Sequence, residues 1–272
     1  RVINIDSTWG ERLVADALEQ GDEVITTGFA ENADVHPIEI AYDVARTRIV
    51  LGVRGEAIAF EYPLVGKFNV ENVMTAFGIA LELGFAPHDI ARALSDVPPV
   101  PGRIEHVMLE AGEGSDRARE IAVYVDYAHT PDALENVLRT IGELRTPAQQ
   151  LFAVCGCGGD RDRTKRPEMA QIAVQYASTA IFTSDNPRHE SPEAILDEMT
   201  AGLDPSVRYL RIADRAEAIR TAVMLSRPGD ILLVAGKGHE TYQIVGDEKR
   251  HFDDREEVRR AFAALSKPEK RN

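Results

Sequence analysis

Cysteine is scarce in this sequence, and its scarcity excludes two kinds of structure. Only Cys155 and Cys157 occur among the 272 residues, directly after the apolar run 151–154. Two cysteines cannot make a disulfide framework or supply a four-ligand zinc site. A redox pair would prefer a two-residue spacer, so the pattern favours small buried strand residues in a protein from a reducing compartment.

Long apolar runs and an excess of positive charge are also missing. No stretch approaches the roughly 20 apolar residues of a transmembrane helix, and no basic-then-apolar leader opens the chain. We therefore expect no membrane insertion and a cytoplasmic location. Asp and Glu number 45 against 31 Lys and Arg, a net charge of −14, which would repel a polyphosphate backbone. Nucleic acid is not an expected partner.

Neither a protein metal site nor a P-loop is recognisable in the sequence. The histidines are scattered, and none forms a two-histidine helical pair, although an ion held mainly by phosphates would leave no such mark. Neither Gly66-Lys67 nor Gly236-Lys237 is followed by the Ser or Thr that a P-loop requires. We expect any triphosphate chemistry to take its lysine loop from residues before Arg1, and we predict no catalytic residue within the chain.

The first hundred residues predict a partial α/β domain with a small antiparallel sheet. A strand at 1–6 and a helix at 9–18 are followed by short strands at 23–27, 38–44, 48–53 and 56–62, of which the last three form an antiparallel meander. Helices are predicted at 66–84 and 89–94. In the first of these helices the expected buried stripe is Val73, Ala76, Phe77, Ala80 and Leu81, and Gly84 is the expected C-terminal cap.

A run of prolines divides the chain. Three prolines lie between 98 and 101, ahead of Gly102, and we place the domain boundary there, giving domains 1–101 and 102–272. Beyond it, short apolar strands alternate mostly with helices, with strands at 121–125, 150–154, 179–183, 207–212 and 230–235 and helices at 131–144 and 166–176. This alternation predicts a parallel, doubly wound, Rossmann-like sheet.

Polar clusters follow four of these strands, at 126–130, 156–163, 185–190 and 236–240. Because the carboxyl ends of parallel strands share one edge of the sheet, their convergence predicts a site for a polar small molecule. Arg188 offers a planar fork matched to a carboxylate or phosphate. The basic residues of the second cluster indicate a bound anion, and they are Arg161, Arg163, Lys165 and Arg166. A solvated charged loop and an Asx-Pro turn remain the alternatives.

Six segments, in order, resemble the motifs of the Mur ligase family. They are Gly66-Lys67-Phe68-Asn69-Val70-Glu71-Asn72, Val100-Pro101-Gly102-Arg103-Ile104-Glu105, the segment 125–134 that begins Val125-Asp126-Tyr127-Ala128-His129, Cys157-Gly158-Gly159-Asp160-Arg161-Asp162-Arg163, Asp185-Asn186-Pro187-Arg188 and Gly236-Lys237-Gly238-His239-Glu240. Within the family they are most similar to members that add meso-diaminopimelate to UDP-MurNAc-L-Ala-D-Glu in peptidoglycan precursor synthesis. The resemblance implies that 1–101 is the C-terminal part of a P-loop-type central, ATP-binding domain and 102–272 the amino-acid-binding domain.

The resemblance also implies an activity and a set of ligands. The activity is ATP-dependent amide formation, in which a substrate carboxylate is phosphorylated and the incoming amine attacks the acyl phosphate. ATP and Mg²⁺ are the implied cofactors, and small molecules the implied partners of an expected monomer. The family's uridine-sugar domain, P-loop, magnesium ligands and modified lysine would precede Arg1, so we expect the chain alone to be inactive.

Individual residues carry implied roles. Asn69 and Asn72 would lie near the adenine, Arg103 would reach the phosphates and Asp126 would hold the ribose. The implied contacts of the amino acid are Arg161, Asp185, Asn186, Arg188, Gly236 and Glu240. For Asn69 the residues alone leave helix capping open as an alternative role.

Two other functions stay open at this point. One is a folylpolyglutamate-synthetase-like ligase, which shares the architecture, although the turn at 185–188 suits a diamino dicarboxylic acid better than glutamate. The other is a non-catalytic module that retains the amino-acid pocket and has lost ATP hydrolysis.

Overall fold

A five-stranded sheet forms the centre of the first of two structural units, Arg1–Pro99 and Val100–Asn272. The computed structural model describes residues 1–108 and 120–265. The first sheet has the strand order β1 (Val2–Asn4), β2 (Ile25–Thr27), β3 (Val35–Tyr42), β4 (Thr47–Val53) and β5 (Glu56–Tyr62). The first three strands pair in parallel, and β3, β4 and β5 form the predicted antiparallel meander.

Three helices, α1 (Thr8–Glu19), α2 (Lys67–Glu82) and α3 (Pro87–Ser95), complete the described part of this unit. The buried face of α2 is made by Val70, Val73, Met74, Phe77 and Leu81. The prediction that Ala76 belongs to this face is wrong, because a rotation of about 100° per residue carries it roughly 120° from the centre of the buried stripe, and it is exposed. Gly84 follows the helix with φ +88°, as expected of a residue at that end.

The second unit contains a six-stranded sheet with the order β10-β9-β8-β11-β7-β6. Its members are β6 (Glu105–His106), β7 (Ala122–Asp126), β8 (Leu151–Cys157), β9 (Thr179–Ser184), β10 (Tyr209–Arg211) and β11 (Ile231–Ala235). All neighbours pair in parallel except the edge strand β6, which runs antiparallel to β7. The predicted parallel sheet is confirmed.

Helices cover both faces of this sheet. They are α4 (Pro131–Leu144), α5 (Lys165–Tyr176), α6 (Pro192–Thr200), α7 (Arg215–Leu225) and α8 (Asp254–Leu265). The buried residues of α7 and α8 share one core cluster with β7, β8 and β11, whereas those of α4 to α6 lie outside that cluster and cover the opposite face. Strands β7, β8 and β11 are buried along their whole length, as expected for a doubly wound sheet.

A hairpin that the sequence did not predict follows the sheet, formed by β12 (Tyr242–Val245) and β13 (Glu248–His251). In the part of the chain that is described, no helix is long and apolar enough to cross a membrane. Both cysteines are free and buried, which agrees with the structural interpretation of that pair. Burial raises the pKa of each thiol to about 12.

Candidate functional site

A pocket of about 530 Å³ opens at the carboxyl edge of the second sheet. Its walls come from the loops after β7, β8, β9 and β11, so the four polar clusters do converge. The pocket is lined by all six residues that the family resemblance implies for an amino acid, namely Arg161, Asp185, Asn186, Arg188, Gly236 and Glu240. Its size is that of an ordinary small-molecule site.

The floor of the pocket is a polar network around Lys237. The ammonium of Lys237 lies 3.1 Å from Asn186 Oδ1, 3.2 Å from Glu240 Oε2 and 3.5 Å from Asp185 Oδ1. Lys237 is fully buried, whereas the carboxylates of Asp185 and Glu240 are partly accessible from the pocket. The side-chain amide of Asn186 also donates to Glu240 Oε2 at 3.1 Å.

A second buried cation, Arg215, lies behind this floor. Its guanidinium makes two 2.8 Å hydrogen bonds to the carboxylate of Asp254, and both side chains are fully buried. It also donates to the carbonyl groups of Ala235 and Ser184, and so joins the ends of β11 and β9. Because Asp254 already neutralises Arg215, the floor formed by Lys237, Asp185 and Glu240 carries one uncompensated negative charge.

The rim of the pocket is basic on balance, since Arg161, Lys165 and Arg188 line it with one acidic residue, Asp162. The backbone of Arg188 adopts φ +52°, a conformation unusual for a residue with a side chain. Its Nη1 donates to the carbonyl of Gly159 at 2.8 Å, and among the described residues its Nε and Nη2 have no hydrogen-bond acceptor. These two donors are therefore free to bind an anionic group in the pocket.

The hairpin β12–β13 fixes the loop that carries Arg188. The Arg188 amide donates to the carbonyl of Ile244, and the Gly246 amide donates to the carbonyl of Arg188. Gln243 donates to the Asp185 carbonyl at 2.8 Å, and the Ile244 amide donates to Asn186 Oδ1 at 2.9 Å. A segment that sequence reasoning missed thus holds the backbone of the predicted binding turn.

Two of the four basic residues that were predicted to bind an anion form ion pairs with acidic residues of the protein instead. Arg166 is fully buried and donates to Glu190 and Glu198, with N–O distances of 2.6 to 2.9 Å. Arg163 pairs with the same two carboxylates. The interpretation that Arg166 receives an anion is therefore wrong, because it is buried in ion pairs with residues distant in sequence, whereas Arg163 pairs with the same carboxylates and stays exposed. Arg161 remains exposed on the rim.

Glu190 links the loop after β8 to the turn after β9, and its loss has a predictable cost. The Arg166 guanidinium, with a contribution from the Asp160 amide, lowers the pKa of Glu190 to about 2. We expect Glu190→Gln to destabilise the second unit by about 3 kcal/mol at pH 7, since Arg166 would lose a buried partner. A carboxyl group with a lowered folded-state pKa stabilises the fold above its unfolded pKa, so the difference should shrink between pH 4.5 and about 2.

Urea unfolding of the wild type and of Glu190→Gln, at pH 7 and at pH 3, measures this difference in the free energy of unfolding. The control is Glu61→Gln, which breaks an exposed pair with Arg48 in the first unit and should cost less than about 1 kcal/mol. A Glu190→Gln difference that is small at pH 7, or that does not change with pH, would contradict the assigned role of Glu190.

Asp126, one of the proposed nucleotide residues, ends β7 with its carboxylate buried. Its Oδ2 accepts from the Ile104 amide and its Oδ1 from the Ala128 amide, each at 2.7 Å. Burial raises the pKa of Asp126 above its ordinary value, and these two amides partly offset that effect. The carboxylate thereby anchors the segment that carries Arg103, whose exposed guanidinium lies over the Tyr127 ring, 5.4 Å from its centroid.

Gly102 allows this segment to approach the loop after β11. Its backbone has φ +67°, and a Cβ built on it would lie 2.2 Å from the His239 amide nitrogen and 2.3 Å from the Gly238 carbonyl carbon. No side chain fits there. The glycine of the second motif is therefore required by close backbone packing.

Asn69 and Asn72 lie near the start of α2 in the first unit. Asn69 is buried, donates to the Val65 carbonyl at 2.8 Å and accepts from Asn72 Nδ2 at 3.4 Å. The capping alternative for Asn69 is wrong, because the residue before the helix is Gly66 and it has no side-chain cap. The exposed Asn72 is held on the helix surface by Asn69.

The second unit is thus a doubly wound α/β domain with a bipolar pocket of amino-acid size at its carboxyl edge. The Mur ligase middle domain family matches residues 1–80, and the family described as "Mur ligase, glutamate ligase domain" matches residues 102–238. The chain belongs to the Mur ligase family, which confirms the resemblance carried by the six motifs.

The relatives agree with this assignment. The UDP-N-acetylmuramoyl-L-alanyl-D-glutamate--2,6-diaminopimelate ligase of Trichormus variabilis is 44% identical over 269 residues, covering 99% of this chain and 52% of the relative. A solved structure of a ligase of that name matches with a TM-score of 0.72 and 37% identity, over 98% of this chain and 53% of the other. A folylpolyglutamate synthase structure from Thermotoga maritima, with a TM-score of 0.64 and 17% identity over 86% of this chain and 50% of the other, shares the fold. The chain spans about half the length of the curated relatives it matches.

Proposed function

We propose that this chain is part of an ATP-dependent acid–amino-acid ligase that adds meso-diaminopimelate to UDP-MurNAc-L-Ala-D-Glu through an acyl phosphate. The observation that carries the proposal is the bipolar pocket, whose floor has one uncompensated negative charge and whose rim is basic. A zwitterion with a second carboxylate complements such a pocket. The 44% identity to a ligase named for 2,6-diaminopimelate supports the choice of amino acid.

In this proposal the charged groups of the amino acid divide between floor and rim. An ammonium group binds at Asp185 and Glu240, and a carboxylate binds the free donors of Arg188, with Arg161 beside it. The positive φ of Gly236 turns the chain between β11 and the floor, so that Glu240 points into the pocket. Held at both ends, the amino acid presents its reacting amine in a fixed orientation, which lowers the entropic part of the barrier.

We propose nucleotide contacts for four residues, each on the strength of the family resemblance. Asn69 and Asn72 contact the adenine, Arg103 contacts the phosphates and Asp126 contacts the ribose. The exposed guanidinium of Arg103 suits a polyphosphate, and each Asp126 oxygen keeps a lone pair for a hydroxyl group. When bound, ATP supplies the phosphoryl group that activates the acceptor carboxylate, and Mg²⁺ is held mainly by the phosphates.

We assign residues 1–101 to the C-terminal part of the family's central domain and residues 102–272 to its amino-acid-binding domain. We propose a cytoplasmic location, because ATP and UDP-linked precursors are cytoplasmic small molecules, and we propose that the protein is a monomer. The two alternative functions require different properties of the pocket. A folylpolyglutamate-synthetase-like enzyme would need a glutamate site, and a binding module would hold the amino acid without turnover.

Calorimetric titration of the complete protein with three amino acids separates these possibilities. We expect meso-diaminopimelate to bind at least tenfold more tightly than L-lysine or L-glutamate, because L-lysine lacks its second carboxylate and L-glutamate lacks its second ammonium group. Tighter binding of glutamate would support the folylpolyglutamate alternative. Binding of meso-diaminopimelate without amide formation from ATP and the UDP-dipeptide would support the non-catalytic module.

A further inference from the structure

We infer that Lys237 is a positioning residue that sets the specificity of the pocket for an ammonium group. The inference rests on the proposed function. Lys237 does not line the pocket. It is the buried centre of the floor, where its ammonium contacts Asp185, Asn186 and Glu240.

The geometry matches the chemistry of a lysine. An ammonium group has three N–H donors, and Lys237 meets three acceptors from two different loops, at 3.1, 3.2 and 3.5 Å. Two of these acceptors come from the turn after β9 and one from the loop after β11. A single buried cation therefore fixes the relative positions of three side chains that face the ligand.

Lys237 also sets the orientation of the Asn186 amide. The side-chain oxygen Oδ1 of Asn186 accepts from Lys237 and from the Ile244 amide, which leaves the side-chain NH₂ group directed at Glu240 Oε2. Glu240 Oε2 thus receives hydrogen bonds from both Lys237 and Asn186. Its other oxygen, Oε1, has one longer contact of 3.5 Å, to the Tyr242 hydroxyl group.

Charge balance gives the reason why specificity depends on Lys237. Asp185 and Glu240 together carry two negative charges, and Lys237 compensates one of them, while Arg215 is paired with Asp254. The floor then attracts one ammonium group. Without Lys237, the floor would hold two uncompensated carboxylates and would lose the cation that fixes their positions.

The test measures kinetics of the complete ligase carrying Lys237→Met, which keeps a long unbranched side chain and removes the charge. We expect the KM for meso-diaminopimelate to rise at least tenfold, while the KM for ATP changes less than twofold. The matched control is Lys249→Met, which removes an exposed lysine stacked on the Tyr242 ring beside the same floor. This control should leave both KM values within twofold.

A double-mutant comparison separates positioning from a general loss of stability. We compare the factor by which Lys237→Met raises the KM for meso-diaminopimelate in the wild type and in a Glu240→Gln background. This factor should be at least five times smaller in the Glu240→Gln background, because one of the two carboxylates beside Lys237 has then lost its charge. A purely structural role for Lys237 would give equal effects in the two backgrounds.

Lys237→Gln, which keeps a donor but not the charge, provides a second variant with the same expected KM change. An unchanged KM for meso-diaminopimelate, or parallel rises in the KM values for ATP and meso-diaminopimelate, would overturn the inference. Failure of both Lys237 variants to fold would also overturn it, because Lys237 would then serve stability. If the wild-type enzyme does not use meso-diaminopimelate, the proposed function fails instead.

Discussion

Replacing Arg188 with alanine is expected to lower kcat/KM for meso-diaminopimelate by well over tenfold in the complete ligase. Arg188 is held by the hairpin so that Nε and Nη2 are free to donate to a carboxylate. Removing one partner of such a charge pair typically costs ~2–5 kcal/mol, at ~1.4 kcal/mol per factor of ten. L-Lysine lacks the far carboxylate, so its low use should stay nearly unchanged. Steady-state kinetics with both amino acids measures the difference.

Two further variants control this prediction. Arg188→Lys should rescue only part of the loss, because a point charge does not reproduce the planar fork. Arg54→Ala removes an exposed arginine with nearly the same backbone conformation, φ +50°, from a hairpin turn of the first unit, and it should have no effect on kcat/KM. If Arg188→Ala leaves turnover and KM intact, Arg188 is only a turn residue and the proposed pocket assignment fails.

Replacing Asp126 with asparagine should raise the KM for ATP more than tenfold and change the KM for meso-diaminopimelate less than threefold. The carboxylate accepts from two backbone amides and anchors the segment of Arg103. An asparagine NH₂ group would face one of those amides, which costs roughly 1–3 kcal/mol and displaces the segment proposed to bind nucleotide. The proposed ribose contact would be weakened as well.

The second sheet offers a matched control for this change. Asp230, just before β11, is also buried and also accepts from two backbone amides, those of Gln150 and Arg227, at 2.8 and 2.7 Å. It lies at the opposite edge of the sheet. Asp230→Asn should destabilise the fold by a similar amount and leave the KM for ATP unchanged. Equal KM changes in the two variants would show that Asp126 acts only through stability.

The sequence predicted the second sheet well because its signals are local. Short apolar runs alternate with helices, and α4 has the predicted bounds, 131–144, because Thr130 and Pro131 mark its start. The strand β6 was missed because two residues give no periodic pattern. The hairpin was missed because β13 is polar and exposed throughout, and so lacks alternation.

The pocket could be predicted because each polar cluster directly follows a strand, and parallel topology brings the clusters together. The pairing of the buried charged residues could not be predicted from the sequence. Arg166 pairs with Glu190, 24 residues away in the sequence, and Arg215 pairs with Asp254, 39 residues away. No local sequence pattern indicates such distant partners. Lys237 did leave a signal, since it comes two residues after an apolar strand and three before Glu240. Its burial among Asp185, Asn186 and Glu240 depends on tertiary packing, which this spacing does not indicate.

The central claim is that the pocket at the carboxyl edge of the second sheet binds the amino acid that the ligase adds. A crystal structure of the complete protein with meso-diaminopimelate tests it most directly. We predict one carboxylate within about 3 Å of the Arg188 guanidinium and one ammonium group at a similar distance from Asp185 or Glu240. Electron density for meso-diaminopimelate at another place, with only solvent between Arg188 and Glu240, would contradict the claim.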